Sequence, residues 1–371
     1  MTRPRIAIAH DYLTQRGGAE RVVLSLSRAF PDAQIHTLLY DPAGTYPEFA
    51  SLPIRTSPLN RIAALQKDHR RALPVLRPFA DRMSIDADLT IVSSSGWAHG
   101  FPTTGRKLIY CHSPARWLYL ADEYLGRPTL ASPSGLALQL LQPSLVRWDQ
   151  QAARQADRYL SNSTLISRRI QRVYGFSADP LFPPGGVDAT GEQHPIEQPA
   201  DWLGAGLRFH LLVSRLLPYK NVDQAIRAFE LLPDERLLVI GRGPERDALH
   251  ALASDRVAFA EDVSDAQMRW AYAHATALIA PSFEDFGLTP VEANAYGTPV
   301  LALRAGGYLD TVADSVSGLL FDRSTPHQIA ATVRSSADVE WNAQQIIQHA
   351  ESFSEERFIH EIRSHAEELL S

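Results

Sequence analysis

A single cysteine in 371 residues, Cys111, excludes an internal disulfide and any multi-cysteine zinc site, and favours a reducing compartment. Positive charge is not in excess. Lys and Arg number 36 against 42 Asp and Glu, a formal net charge of -6 that argues against a general nucleic-acid binder. The opening stretch Met1–His10 is too short for a signal peptide or a membrane span, so the protein is expected in the cytoplasm. Any membrane contact is then expected to be peripheral, on the inner face. Glycine (21) and proline (25) are at ordinary levels, and no monotonous segment suggests a collagenous, coiled-coil or disordered chain. No repeat of about 20–50 residues points to a solenoid or propeller. HExxH, GxSxG and HxH are absent, which removes sequence support for hydrolytic zinc and Ser-His-Asp chemistry.

What is present is enough apolar material, 45% of residues, for two packed domains at this length. The apolar run Arg5–Ala9, the pair Gly17-Gly18 and the periodic segment Ala19–Phe30 read as strand, glycine loop and helix. Runs at Ile35–Tyr40, Leu89–Val92 and Lys107–Tyr110 add short buried strands separated by helices. Such alternation predicts a parallel sheet covered on both faces. The stretch Pro183–Gly206 breaks this texture with prolines, glycines and polar residues. Beyond it strands at Phe209–Val213, Arg236–Ile240, Val257–Ala260, Ala277–Ala280 and Val300–Leu303 alternate with helices. The division expected is 1–190 as a first domain, 191–206 as linker and 207–352 as a second domain. Residues 353–371 are expected to form a helix returning to the first domain. Two such α/β domains are expected to face each other across a central cleft.

The sharpest local signal is Glu284-Asp285-Phe286-Gly287-Leu288-Thr289-Pro290-Val291-Glu292, directly after a strand. Thr289 and Pro290 read as helix N-cap and N1, which puts Glu292 in the first turn and Glu284 in the loop. Amides of Phe286, Gly287, Leu288 and Thr289 could then hold sugar hydroxyls or a phosphate. An ordinary first-turn acid and a solvated loop glutamate is the plainer alternative. In Ser214–Asn221, Arg215 and Lys220 flank Pro218 at a strand end and can converge on one diphosphate, the fork of Arg215 beside the point charge of Lys220. Two solvated cations on a surface loop would look the same.

Gly17-Gly18, Gly241-Arg242-Gly243-Pro244 and Gly306-Gly307 each permit backbone to approach a phosphate, or are simply tight turns. A full GxGxxG is missing, because Arg246 stands where the third glycine after Gly241 and Gly243 would be. Cys111-His112-Ser113-Pro114 closes a strand, and His112 could donate to a sugar hydroxyl or be structural. Residues 60–83 hold six cations, Arg61, Lys67, Arg70, Arg71, Arg77 and Arg82, against Asp68 and Asp81, a local charge of +4. Ile62, Leu65, Leu73, Val75, Leu76 and Phe79 interleave with them. This suits an anionic membrane surface, or a helix packing its apolar side on its own core.

The ordered set of Gly17-Gly18-Ala19-Glu20, His112, Pro184-Gly185-Gly186-Val187-Asp188, Arg215 with Lys220, Gly241–Pro244 and Glu284/Glu292 resembles the retaining glycosyltransferases of family 4, GT4. These have the GT-B fold, two Rossmann-like domains. The runs His10–Leu13, Arg16–Arg21, Tyr110–Pro114 and Glu284–Glu292 look more narrowly like bacterial GDP-mannose-dependent α-mannosyltransferases of polysaccharide and glycolipid assembly. The resemblance implies that Arg215 and Lys220 neutralise the donor diphosphate, helped by the amides of Gly17 and Gly18. It implies that Glu292 binds the ribose, that Glu284 with the loop 286–289 holds the donor sugar, that backbone near Val263 seats the base, and that His112 touches the transferring sugar. Two departures stand out: Gly185 where the family commonly has Asn, and Asp310 where it often has Glu, which leaves the role of Asp310 open.

Transfer from a sugar nucleotide develops positive charge on the sugar and negative charge on the diphosphate, so fixed cations stabilise the transition state. With Arg215 and Lys220 in place, neither a metal nor another cofactor is expected. Front-face attack assisted by the leaving phosphate is the expectation carried by the resemblance, not the two-carboxylate glycosidase scheme. The leading expectation is a hexosyltransferase using GDP-mannose ahead of UDP- or ADP-sugars, with a saccharide or lipid-linked acceptor. The alternatives are a sugar-nucleotide hydrolase or epimerase of the same architecture, and a non-catalytic nucleotide-binding scaffold.

Overall fold

The computed structural model describes residues 4–67, 73, 75–120, 133–186, 189–196, 201–204 and 206–371. The chain forms two compact units, residues 1–184 with 355–371, and residues 185–354.

The first unit is built on seven parallel strands, β1 (Ile6–Leu13), β2 (Gln34–Tyr40), β3 (Ile54–Thr56), β4 (Leu89–Ser94), β5 (Arg106–Cys111), β6 (Arg158–Ser161) and β7 (Asp179–Pro180). Their order, β3-β2-β1-β4-β5-β6-β7, reverses direction between β1 and β4. That reversal opens a crevice at the carboxyl ends of these two strands. β1 runs four residues past the expected end at Ala9, because the buried His10 and Asp11 find hydrogen-bond partners around the end of β4. The helix Gly18–Ala29 buries Val22, Val23, Leu26 and Ala29. The helix Glu355–Leu370 buries Phe358, Ile362 and Ala366, one residue per turn, in the same core cluster. Arg28 holds Glu355 at 2.5 Å, and Arg363 donates to the carbonyl of Ala29 at 2.9 Å.

The segment 60–83 does not form one amphipathic helix. Among the described residues it holds two short helices, Ala63–Lys67 and Arg77–Ala80. Its apolar side is largely consumed by the core: Leu73 and Leu76 are buried, and Leu65 and Phe79 pack against the same cluster. Ile62 and Val75 remain exposed. Asp68, Arg70 and Arg71 lie outside the described residues.

The second unit carries six parallel strands, β8 (His210–Val213), β9 (Leu237–Ile240), β10 (Val257–Ala260), β11 (Leu278–Ala280), β12 (Val300–Leu303) and β13 (Gly318–Phe321), in the order β10-β9-β8-β11-β12-β13. Here the order reverses between β8 and β11. The helix Val222–Phe229 shows why such segments dock: Val222, Ala225, Ile226 and Phe229 recur at helical spacing and are all buried. The expected linker 191–206 requires correction. The units part at 184/185, and the described residues of 191–206 belong to the second unit. Arg269 donates to the carbonyl of Glu192 at 2.8 Å, the amide of His194 to Ala266 at 3.1 Å, and Ile196 and Leu203 are core residues. Isolated anchors spaced this way leave no periodicity to read. Among the described residues, no helix is long and apolar enough to cross a membrane.

Candidate functional site

The loops that leave β8 and β11 flank the strand-order reversal of the second unit, and they carry Arg215, Lys220 and Glu284. After β8 the chain turns through the short 3-10 helix Pro218–Lys220, and Asn221 at φ 54° anchors the exit by donating to the carbonyl of Pro281 at 3.0 Å. This turn buries Lys220 and sets its ammonium on the carboxylate of Glu284. Arg215 stays exposed, its guanidinium 3.2 Å from the hydroxyl of Tyr219. One cation is thus held in an ion pair and the other is exposed.

Glu284 is held from a second side by Ser282 Oγ at 2.7 Å, itself 3.1 Å from the hydroxyl of Tyr308. Burial, reinforced by the charge of Glu284, raises the Tyr308 pKa well above its ordinary value, so this hydroxyl stays protonated. The glycine pairs now have a reason. A Cβ on Gly307 would fall 2.2 Å from Phe286 Cα, and one on Gly306, at φ 66°, 2.4 Å from the Glu284 carbonyl. Gly241 and Gly243 press in the same way on the backbone of Ser214 and Leu216. These glycines pack one loop upon another, which is what fixes Glu284 and the Arg215 loop.

The helix after this loop begins at Leu288 with Gly287 at φ 91° as its N-cap, two residues earlier than the expected start at Pro290 with Thr289 as N-cap. The bend belongs to Gly287 because a Cβ there would meet the Tyr308 ring at 2.5 Å. Pro290 then falls in the first turn, where its missing N–H costs nothing, and Glu292 lies beyond that turn. Glu292 accepts from the hydroxyl of Tyr272, a fully buried residue, at 2.7 Å. Val263 precedes the helix Asp265–His274, whose start is fixed by a reciprocal pair of bonds between Ser264 and Gln267. Val187 and Asp188 lie outside the described residues.

In the first unit the Gly17 amide meets an occupant from its own chain. The carboxyl of Glu20 turns back on the loop, facing the amides of Gly17 and Glu20 and the side chain of Gln15. Burial pushes its pKa up to about 7. The Gly17 amide, expected to help hold a donor phosphate, thus faces this carboxyl. His112 follows β5, its Nε2 2.7 Å from Ser93 Oγ, and burial with His10 nearby lowers its pKa to about 3. The ring is therefore neutral at physiological pH.

Sequence reasoning did not single out Asp11, Ser93, Ser282, Tyr272 or Tyr308. Asp11 accepts from the amides of Ser95, Trp97 (2.9 Å) and Ala98 (2.6 Å) and so ties down the loop after β4. Asp11 lies within the run His10–Leu13 and Ser282 two residues before Glu284; Ser93, Tyr272 and Tyr308 act through partners 19 to 26 residues away. Among the described residues, no group of three or more His, Cys, Asp or Glu side chains is placed to hold a metal ion.

Residues 16–189 match the family Glycosyltransferase Family 4, and residues 203–353 match Glycosyl transferases group 1. The D-inositol 3-phosphate glycosyltransferase of Acidothermus cellulolyticus is 34% identical over 206 residues, 48% of this chain and 45% of that protein. The protein of the same name from Mycolicibacterium vanbaalenii is 33% identical over 236 residues, 56% of this chain and 52% of its own. The chain thus spans about half the length of the curated relatives it matches. Among solved structures, Anabaena HepE in complex with UDP superposes with a TM-score of 0.71 at 18% identity, over 98% of this chain and 100% of that one. Sucrose-phosphate synthase from Thermosynechococcus elongatus gives 0.69 at 18% identity, over 99% of both chains. Each of the two α/β units is thus matched, in chain order, by a glycosyltransferase family, and the fold is the two-domain α/β fold of the GT-B glycosyltransferases.

Proposed function

We propose that the protein is a retaining hexosyltransferase that moves a sugar from a nucleoside diphosphate to a saccharide or lipid-linked saccharide acceptor. The observation that carries this reading is the pairing of buried Lys220 with Glu284 beside exposed Arg215, at the strand-order reversal of the second unit. Arg215 and Lys220 supply fixed positive charge where the departing diphosphate gathers negative charge. Glu284, held by Lys220 and Ser282, orients the donor sugar; Glu292, held by Tyr272, takes the ribose; backbone near Val263 seats the base. His112 touches the transferring sugar. No protein nucleophile is needed if the leaving phosphate assists attack on the same face.

GDP-mannose is the donor suggested by the motif resemblance. Anabaena HepE was solved with UDP and with UDP-glucose, which makes UDP-sugars the competing donors. The relatives named for D-inositol 3-phosphate make a phosphorylated polyol the competing acceptor. Peripheral contact with an anionic membrane belongs to this proposal too. It now rests on exposed Ile62 and Val75 with Arg61 and Arg82.

The test is a panel of GDP-mannose, UDP-glucose and ADP-glucose with each acceptor class, scored for product, anomer and free sugar, with and without excess chelator. Expected are acceptor-dependent transfer with the anomeric configuration kept, slow release of free sugar, and turnover that survives chelation. Free sugar released equally fast without acceptor would indicate a hydrolase. Nucleotide binding without any turnover would indicate a scaffold.

A further inference from the structure

The run His10–Leu13 has no role in the function proposed above, yet β1 brings its histidine into register with Ser93 of β4. His10 Nδ1 lies 2.9 Å from the Ser93 carbonyl and 3.0 Å from Ser93 Oγ, and the same Oγ lies 2.7 Å from His112 Nε2. His10 and Ser93 are both buried.

The proton positions follow from what each group can do. A carbonyl oxygen only accepts, so His10 Nδ1 carries a proton and shares it between the carbonyl and Oγ of Ser93. The Ser93 hydroxyl hydrogen then needs an acceptor, and His112 Nε2 is the one within reach among the described groups. If His112 instead donated from Nε2, that hydrogen would be orphaned in a fully buried residue, an arrangement proteins avoid. A neutral ring that accepts at Nε2 holds its own proton at Nδ1. No described group takes up that N–H.

We propose that His10 and Ser93 are positioning residues that hold His112 as its Nδ1-protonated tautomer, so that it offers a bound sugar an N–H donor and not a lone pair. The functional half of this rests on the reading that His112 touches the transferring sugar. The chain His10–Ser93–His112 joins three successive strands of the sheet order, β1, β4 and β5, at their carboxyl ends. It ties the otherwise unexplained His10 to the chemistry.

The experiment is ring 15N NMR of the full chain, with the His112 signals identified by their loss in His112→Ala, beside kinetics on the best donor. Expected in the wild type is a protonated Nδ1 and an accepting Nε2. Ser93→Ala and His10→Phe should move the ring towards the Nε2-protonated form and lower kcat about 10- to 100-fold, with nucleoside diphosphate affinity unchanged. His10→Asn, whose amide can donate near the Nδ1 position, should restore both the tautomer and most of the rate. An Nε2-protonated His112 in the wild type, or an unaltered ring state in Ser93→Ala, overturns the relay whatever the kinetics. If the tautomer shifts as expected while neither Ser93→Ala nor His112→Ala changes transfer, His112 does not touch the sugar and the positioning role falls with that reading.

Discussion

Arg215 and Lys220 are assigned one ligand but start from different free states, and this gives the sharpest test of the site. Arg215 is exposed and meets the Tyr219 hydroxyl, so Arg215→Ala should leave stability within about 0.5 kcal/mol of wild type. Lys220 has a side chain only 11% exposed, paired with a Glu284 side chain 25% exposed. Lys220→Met keeps much of the packed stem but leaves the carboxylate with Ser282 alone, at a cost of about 1–2 kcal/mol. At about 2–4 °C per kcal/mol for a unit of this size, the transition of the second unit should fall by about 2–8 °C. On binding, each cation contributes one charge-assisted contact of about 1.5–3 kcal/mol, and ~1.4 kcal/mol is tenfold. Both variants should therefore lose about 10- to 150-fold in affinity for the nucleoside diphosphate. Scanning calorimetry with titration calorimetry separates the two effects. Wild-type affinity in both variants refutes the diphosphate assignment, and an unshifted transition in Lys220→Met refutes the stabilising role of the pair.

Glu20 has a raised pKa in the folded state, near 7, so the fold binds its proton more tightly than the unfolded chain does. The stability it contributes is full below the ordinary glutamate range and is lost as pH rises to about 7; Glu20→Gln should flatten this slope and add about 1–3 kcal/mol at pH 8. Urea midpoints at pH 5 and pH 8 check it, and an equal slope in the variant would contradict it. Gly307→Ala should displace the Phe286 backbone and cost about 1–3 kcal/mol together with donor binding. Gly175→Ala, at φ 82° with no atom within 4 Å of the added Cβ, should cost about 1 kcal/mol and spare binding, as thermal melts with and without nucleotide will tell. Glu292→Gln should chiefly weaken nucleotide binding and Glu284→Gln chiefly lower transfer; indistinguishable profiles would remove the division of labour between them.

The alternation of short apolar runs with amphipathic segments made the two parallel-sheet units legible from the sequence. Val257–Ala260 and Val300–Leu303 fall where the apolar runs put them, with the helix Asp265–His274 in the expected alternation between them. Where reading failed, a distant residue decided the local form. β1 continues through His10 and Asp11 because groups at the end of β4 satisfy them. The helix after Phe286 starts at Leu288 because Tyr308 leaves room for no side chain at Gly287.

The same division holds for the site. Residue type and spacing along the chain named Arg215, Lys220, Glu284, Glu292 and His112 as candidates, and the family resemblance gave them roles. Which of them touch was settled only by the order β8-β11-β12, which lays the loop of Lys220 against that of Glu284 and the loop of Gly306-Gly307 against the Glu284 loop. The protonation of His112 and the occupant of the Gly17 amide were likewise decided in three dimensions. A hydrogen bond depends on atoms brought within about 3 Å by parallel pairing, and the sequence separation of those atoms says nothing of that distance.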